Sequence, residues 1–130
     1  MSTTATEREA ITEALQLYMD GAADGDVDKL KRAFHDQAWM FGQMGGQRFD
    51  MPIAQFFDLA ASKPLRTDDS FRAEIVHVEQ AGDIACAVIT EEGAWGSVSF
   101  TDHFTLAEID GEWKIVNKTF SHTGGEPPTG

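Results

Sequence analysis

The sequence predicts an α+β fold, because helical periodicity fills the first part of the chain and strand periodicity the second. Apolar residues recur at helical spacing in three segments before Phe71, and from Phe71 onward they alternate with a period of two. Asp110-Gly111 lies between two alternating segments and is a strong hairpin signal. Helices followed by long antiparallel strands predict helices packed on one face of a sheet, with a ligand cavity between the two layers.

The first predicted helix has a continuous apolar face. Its members are Ile11, Ala14, Leu15, Tyr18, Met19 and Ala22. Thr4 and Glu7 have the spacing of a capping box at the start of this helix, and Gly21 and Gly25 help to end it.

Two shorter helices and six strands complete the prediction. Asp26 can cap the second helix, which carries Leu30 and Phe34 on one side. Pro52 suits the first turn of the third helix, and residues 42–46 are predicted to form a glycine-rich turn. The predicted strands are 38–41, 47–50, 71–80, 83–91, 98–106 and 113–122.

Length and charge limit the classes of function. The 130 residues predict one domain over 1–122, followed by a loose C-terminal tail over 123–130. Ten basic and 22 acidic residues give a net charge of −12, which disfavours nucleic acid and anionic membranes as partners. No apolar run approaches the ~18 residues that span a bilayer, and no signal peptide is apparent, so a cytoplasmic protein is expected.

Cysteine and metal chemistry are not indicated by the sequence. The single Cys86 lies in an apolar run and is expected to be a small buried hydrophobic residue. The four histidines have no short repeat, so we predict no metal site, and no cofactor motif is present.

An acidic residue interrupts an otherwise apolar strand face. In the run 98–106, the residues that share one face with Asp102 are Val98, Phe100, Phe104 and Leu106. A carboxylate centred on such a face is expensive to bury in its ionised form, and such groups concentrate at functional sites. The alternative is a bulge that turns Asp102 to solvent, or a structural hydrogen bond within the sheet.

The order of elements resembles the nuclear transport factor 2-like (NTF2-like) superfamily, which includes ketosteroid isomerases, polyketide cyclases and scytalone dehydratase. Residues 104–118 look especially like its putative lumazine-binding branch. The resemblance implies a cone in which three N-terminal helices wrap a curved antiparallel sheet around a pocket.

Two segments resemble ketosteroid isomerases in particular. Residues 17–26 look like the first helix of these enzymes, and the tyrosine of their oxyanion hole falls on Tyr18. Residues 101–104 resemble the strand that bears a protonated aspartic acid, which falls on Asp102. The resemblance thus implies that Tyr18 and a neutral Asp102 donate two hydrogen bonds to a ligand oxygen.

The resemblance fails at the catalytic base. The position of the isomerase base falls on Gly42, and residues 39–43 contain no carboxylate, so ketosteroid isomerisation is not expected. The other candidate bases are Lys118 and His122, and Asp102 would then act as the acid.

The register of the last hairpin decides which residues lie beside Asp102. A two-residue turn pairs Ile109 with Glu112 and places Thr119 beside Asp102. This register would turn the side chain of Lys118 away from the pocket.

A three-residue loop with a bulge is the other possible register. It pairs Glu108 with Glu112 and places Lys118 and Phe120 near Asp102, as the isomerase resemblance favours. An inward Lys118 would pair with an ionised Asp102, which contradicts the neutral acid of an oxyanion hole.

We therefore expect a protein that binds a small, mostly apolar or aromatic molecule in an internal pocket, without a cofactor. The expected contacts are Tyr18, Trp39, Phe56, Phe57, Phe100, Asp102, Phe104, Lys118, Phe120 and His122. The alternative is a cofactor-independent isomerase, dehydratase or cyclase, with Asp102, Tyr18 and His122 as catalytic candidates. A homodimer through the outer sheet face around Thr101 and His103 is also expected.

Overall fold

The computed structural model describes residues 4–126, with side chains from residue 6 onward. The Thr4 side chain of the expected capping box and residues 127–130 of the expected tail lie outside the described residues. The helices are α1 (Thr4–Asp24), α2 (Val27–Ala33) and α3 (Ile53–Ser62). The strands are β1 (Phe34–Met44), β2 (Gln47–Pro52), β3 (Arg72–Ala81), β4 (Ile84–Ala94), β5 (Val98–Ile109) and β6 (Glu112–Gly124).

The six strands form one curved, open sheet in the order β2-β1-β6-β5-β4-β3. Only the β1–β6 pair is parallel among these strands, and the other four pairs are antiparallel. The core lies between the three helices and the inner sheet face, where residues of α1 such as Leu15 pack with residues of β5 such as Leu106. The α+β prediction is therefore confirmed.

The helix ends differ partly from the prediction. Gly25, at φ +71°, follows the last residue of α1, whereas Gly21 lies within the helix. A Cβ on Gly21 would lie 2.8 Å from Cγ of Leu30, so this glycine lets α2 pack closely on α1.

Asp26 caps α2 as predicted and accepts a 3.2 Å hydrogen bond from the backbone of Lys29. Phe34 was wrongly placed on the helix, since it begins β1.

The glycine-rich turn is shorter than predicted. Strand β1 continues through Gly42 to Met44, and only Gly45 and Gly46, at φ +59° and +80°, make the turn into β2. These two consecutive positive φ values suit a hairpin turn that glycine adopts without strain. Gly42 is therefore a strand residue of the sheet, and the prediction that it belongs to the turn is wrong.

The last hairpin combines features of both expected registers. Ile109 pairs with Glu112, as a two-residue turn requires. Asp102 nevertheless lies opposite Phe120 and not opposite Thr119. The turn of the first register thus occurs together with the placement that the second register predicts.

A bulge in β6 explains this combination. Thr105 pairs with Asn117, but the adjacent Leu106 pairs with Ile115, so Val116 is an extra residue in β6. Because side chains alternate along a strand, one extra residue moves every later side chain of β6 to the opposite face. The bulge thereby directs the even-numbered residues after it into the cone.

Cys86 is exposed, which corrects the expectation that it is buried. Its neighbours Ala85 and Ala87 are buried on the inner face of β4, so strand alternation places Cys86 on the outer face. In residues 4–126, no helix has the length and apolar character needed to cross a membrane.

Candidate functional site

A cavity of about 350 Å³ lies between α1, α3 and the inner face of the sheet. Most of its wall is apolar, and the larger apolar side chains are Met40, Phe49, Phe56, Trp95, Phe100 and Phe120. Three buried residues that can ionise, Tyr18, Glu91 and Lys118, lie in the same wall, together with the exposed Lys63. An apolar cavity with a few polar groups is typical of small-molecule sites.

The three groups belong to a buried cluster that also includes Asp102. The Tyr18 hydroxyl lies 2.7 Å from Oε2 of Glu91 and 3.0 Å from Oδ2 of Asp102. Nζ of Lys118 lies 3.8 Å from Oδ1 of Asp102. Each of the four residues is at most 5% exposed.

Four different elements supply these side chains. Tyr18 lies on the buried face of α1, and Glu91 is on the inner face near the end of β4. Asp102 is in the middle of β5, where burial alternates as the sequence predicts. Lys118 faces inward because the β6 bulge shifts its side chain to the inner face.

Burial raises the pKa values of two members of this cluster, Glu91 and Tyr18. Desolvation, and secondly the charge of Asp102, raise the pKa of Glu91 well above its usual value, while the charge of Lys118 opposes this rise. Desolvation also raises the pKa of Tyr18, and the charges of Asp102 and Glu91 raise it further. Tyr18 is therefore a neutral phenol at physiological pH.

Aromatic rings surround the ammonium group of Lys118. Its Nζ lies 4.7 Å from the ring centre of Phe120, 5.0 Å from that of Phe56 and 5.7 Å from that of Tyr18. Ring faces attract a cation, most strongly where water is excluded. These rings and Asp102 together stabilise a positive charge in the cavity wall.

The structure brings only some of the expected ligand contacts to the cavity. Those in its wall are Tyr18, Phe56, Phe100, Lys118 and Phe120. Phe57, Phe104 and Asp102 are buried but do not line the cavity. The aromatic ring of Phe104 packs instead against that of Tyr18, with 4.8 Å between the ring centres.

Trp39 and His122 also lie outside the cavity wall. Trp39 is 43% exposed, and its Nε1 donates a 2.7 Å hydrogen bond to Asp50. Nε2 of His122 lies 2.9 Å and 2.6 Å from the carbonyl oxygens of Gly124 and Gly125. Because carbonyl oxygens only accept hydrogen bonds, Nε2 carries a proton and is not free to act as a base.

Glu91 is the member of the cluster that sequence reasoning missed. Strand alternation places Glu91 on the same face as the buried Ala85, Ala87 and Ile89, but residues 84–89 are apolar on both faces of the strand, so the sequence does not show which face is the inner one. The pair Glu91-Glu92 instead resembles a solvated end of a strand. Only its neighbour Glu92 is exposed.

Gly42 cannot be replaced by a carboxylate without movement of the sheet. A Cβ at this position would lie 2.5 Å from the Phe120 ring and 2.6 Å from the carbonyl oxygen of Phe120. The site therefore lacks the isomerase base and also has no space for it.

We expect Gly42→Ala to lower the free energy of unfolding by about 1–3 kcal/mol, because the added methyl group overpacks the β1–β6 contact. Urea denaturation measures the loss. Gly124→Ala is the matched control, since its Cβ would contact Ser99 at an ordinary 3.7 Å. Equal stability of Gly42→Ala and the original chain would contradict the close packing.

Residues 4–126 contain no group of three or more His, Cys, Asp or Glu side chains that could hold a metal ion.

Comparisons with known proteins agree with this fold. The sequence model of a family described as putative lumazine-binding matches residues 6–121. An NTF2-like protein of unknown function from Methylobacillus flagellatus KT is 32% identical, with a TM-score of 0.82 and 95% of each chain covered. One from Shewanella baltica OS155 is 27% identical, with a TM-score of 0.83, covering 98% of this chain and 100% of the other.

More distant relatives carry names that suggest activities. A putative ketosteroid isomerase from Shewanella frigidimarina NCIMB 400 is 14% identical over 86% of this chain and 94% of its own, with a TM-score of 0.63, which supports the fold alone. The aldolase FrzH from Cladobotryum sp is 23% identical over 117 residues, which are 90% of this chain and 92% of the relative. With its family model matched over nearly the whole chain, the protein belongs to the putative lumazine-binding family of the NTF2-like superfamily.

Proposed function

We propose that this protein binds a small, mostly apolar or aromatic molecule that carries an oxygen function. The observation that carries this proposal is the placement of three buried ionisable side chains, Tyr18, Glu91 and Lys118, in the wall of an apolar cavity. Burial of ionisable groups is costly, and such groups cluster at functional sites. The apolar body of the ligand packs on Phe56 and Phe100.

Lys118 is the donor best placed to receive the ligand oxygen. The Tyr18 hydroxyl is already engaged by two carboxyl groups, and Asp102 does not line the cavity. The ammonium group of Lys118 has three N–H donors, and a distance of 3.8 Å to Asp102 leaves them without a short hydrogen bond to that residue. A carbonyl or phenolic oxygen fits this environment.

Thermal unfolding in the presence of phenolic steroids, flavin and lumazine compounds and aromatic polyketides tests the proposal. A ligand at one hundred times its dissociation constant stabilises the fold by about 2.7 kcal/mol, which raises the midpoint by several degrees. Phe56→Ala should abolish the shift, because it removes a wall of the cavity. Phe41→Ala removes an aromatic ring outside the cavity and should leave the shift intact. An equal loss in both variants would contradict binding in this cavity.

Acid–base catalysis on a carbonyl compound is the second candidate function. It is favoured by Glu91, whose carboxyl group faces the cavity and whose pKa is raised by desolvation. The name of the related aldolase agrees with it, since aldol reactions proceed through loss of a proton beside a carbonyl group. Glu91 and Lys118 support an isomerase, dehydratase or cyclase activity better than Asp102 and His122, which lie outside the cavity wall.

We also propose that the protein works in the cytoplasm, where the exposed Cys86 stays reduced. A second proposal is that the chain forms a homodimer through the outer face of β4 and β5. His103 is exposed on this face, opposite Val88 of the neighbouring strand. His103→Glu should convert the dimer to a monomer in sedimentation experiments, because it places two like charges at a symmetric contact. His77→Glu, on the edge strand β3, is the control and should remain dimeric.

A further inference from the structure

The contacts of Tyr18 limit the number of protons in the cluster. Its hydroxyl group has one proton to donate, yet it lies within 3.0 Å of a carboxyl oxygen of Glu91 and of Asp102. A phenol oxygen can also accept a hydrogen bond. Both contacts are satisfied when Tyr18 donates to one ionised carboxylate and accepts from the other, protonated, carboxyl group. A single proton held by the pair of carboxyl groups is enough to satisfy both contacts.

The surroundings decide which carboxyl group holds this proton. Nζ of Lys118 lies 3.8 Å from Asp102, so the negative charge is stabilised on Asp102. The charged or titratable groups that act on Glu91 are Asp102, Lys118 and Tyr18. Burial and, after it, the negative charge of Asp102 raise the pKa of Glu91 and favour its neutral form, while the charge of Lys118 and the hydrogen bond with Tyr18 oppose this rise without cancelling it.

We propose that Glu91, Tyr18 and Asp102 form a proton relay that makes Glu91 the catalytic base for removal of a proton beside a ligand's carbonyl group. In the resting relay, Glu91 donates to Tyr18 and Tyr18 donates to Asp102. The substrate class is an aldehyde or ketone with a hydrogen on the carbon next to the carbonyl. This inference rests on the proposed binding function and assigns the chemistry within it.

The relay conserves protons at every step. Glu91 passes its proton to the Tyr18 oxygen, and Tyr18 passes its own proton to Oδ2 of Asp102, which leaves an ionised Glu91. Glu91 then takes the proton of the substrate C–H bond. The electron pair of that bond forms the carbon–carbon double bond of an enolate, and the former carbonyl π pair moves to the oxygen. No oxidant or reductant is needed.

Lys118 couples the relay to the substrate. When Asp102 receives the proton, it no longer carries the charge that holds Lys118, and the ammonium group can stabilise the enolate oxygen instead. Oδ1 of Asp102 has no hydrogen-bond partner among the described residues, so no other contact has to break. Asp102 and Tyr18 are positioning residues in this scheme, because they act on the substrate only through Glu91 and Lys118.

Hydrogen–deuterium exchange provides the test. Phenylacetone or beta-tetralone is incubated with the protein in deuterium oxide, and proton NMR follows loss of the signal from the carbon beside the carbonyl. Glu91→Gln should slow catalysed exchange by about 10²–10⁴-fold, as expected for loss of a general base. Asp102→Asn should also slow exchange, because asparagine preserves the shape but cannot take the proton. Glu92→Gln, at the exposed neighbouring position, should exchange like the original protein.

Binding of the same ketones, measured by thermal shift, separates the two proposals. Binding without exchange overturns the relay and leaves the binding function standing, whereas absence of binding and exchange overturns both for this ligand class. Exchange that persists in Glu91→Gln also overturns the relay. Infrared spectroscopy of the free protein gives an independent result: the carbonyl band of a neutral carboxyl group should be present at neutral pH and absent from Glu91→Gln. Its absence from the original protein overturns the proton assignment.

Discussion

Replacement of Lys118 by methionine is expected to lower the free energy of unfolding by about 3–5 kcal/mol, because it leaves a buried carboxylate without its counter-charge. Lys118 is 5% exposed and Asp102 is fully buried, so bulk water solvates this carboxylate poorly once the ammonium group is lost. Methionine retains much of the apolar stem of lysine but lacks the ammonium group, whose nitrogen lies beside Asp102 and over the rings of Phe56 and Phe120. The loss therefore reports on charge, and urea denaturation at neutral pH measures it.

A double variant separates the charge effect from a packing effect. Lys118→Met combined with Asp102→Asn should be clearly more stable than the sum of the two single losses predicts, because asparagine needs no counter-charge. Lys31→Met, at an exposed position of α2, is the control and should change stability by less than about 0.5 kcal/mol. Additive losses in the double variant would show that Lys118 and Asp102 are not energetically coupled.

Replacement of Glu91 by glutamine should change how stability depends on pH. An unfolded glutamate loses its proton near pH ~4.3, whereas burial and Asp102 keep the pKa of folded Glu91 well above that value. Between these two pKa values, the folded state binds more protons than the unfolded state. The contribution of Glu91 is therefore fully present below the unfolded pKa and is lost as the pH rises through the folded pKa, by up to about 1.4 kcal/mol per pH unit.

Urea denaturation at a series of pH values, from acidic to mildly alkaline, measures this dependence. Glutamine has no proton to lose, so the stability advantage of the original protein over Glu91→Gln should decline as the pH rises. Glu92→Gln serves as the control and should follow the pH dependence of the original protein. Parallel curves for the original protein and Glu91→Gln would mean that Glu91 is ionised in the folded state.

Much of the fold could be predicted from local patterns. The apolar face of α1, the cap at Asp26 and the alternation of β5 each depend on residues close together in sequence, and each is confirmed. Phe34 was misplaced because a buried aromatic residue after a short helix fits the end of that helix as well as the start of a strand. Cys86 was misplaced because alternating small apolar residues look like a continuous buried run.

The candidate site could be predicted only in part. Tyr18, Asp102 and Lys118 were identified as candidates, and the structure brings their side chains together. Glu91 was not identified, because nothing in its local sequence distinguishes it from the exposed Glu92. The choice between registers also remained open, since the turn at 110–111 does not reveal a bulge farther along β6.

Periodicity, capping and turn residues in the sequence determined the helices, the strands and the inward direction of Asp102, because these features follow from the geometry of neighbouring residues. Tertiary structure decided the protonation chemistry of the site. The pairing of β5 with β6 leaves Val116 in a bulge, and this bulge turns Lys118 inward. The fold also brings the carboxyl group of Glu91 to within 2.7 Å of the Tyr18 hydroxyl, although the two residues are 73 positions apart in sequence. The charge balance of the cavity depends on distances between strands and α1, and no local pattern encodes those distances.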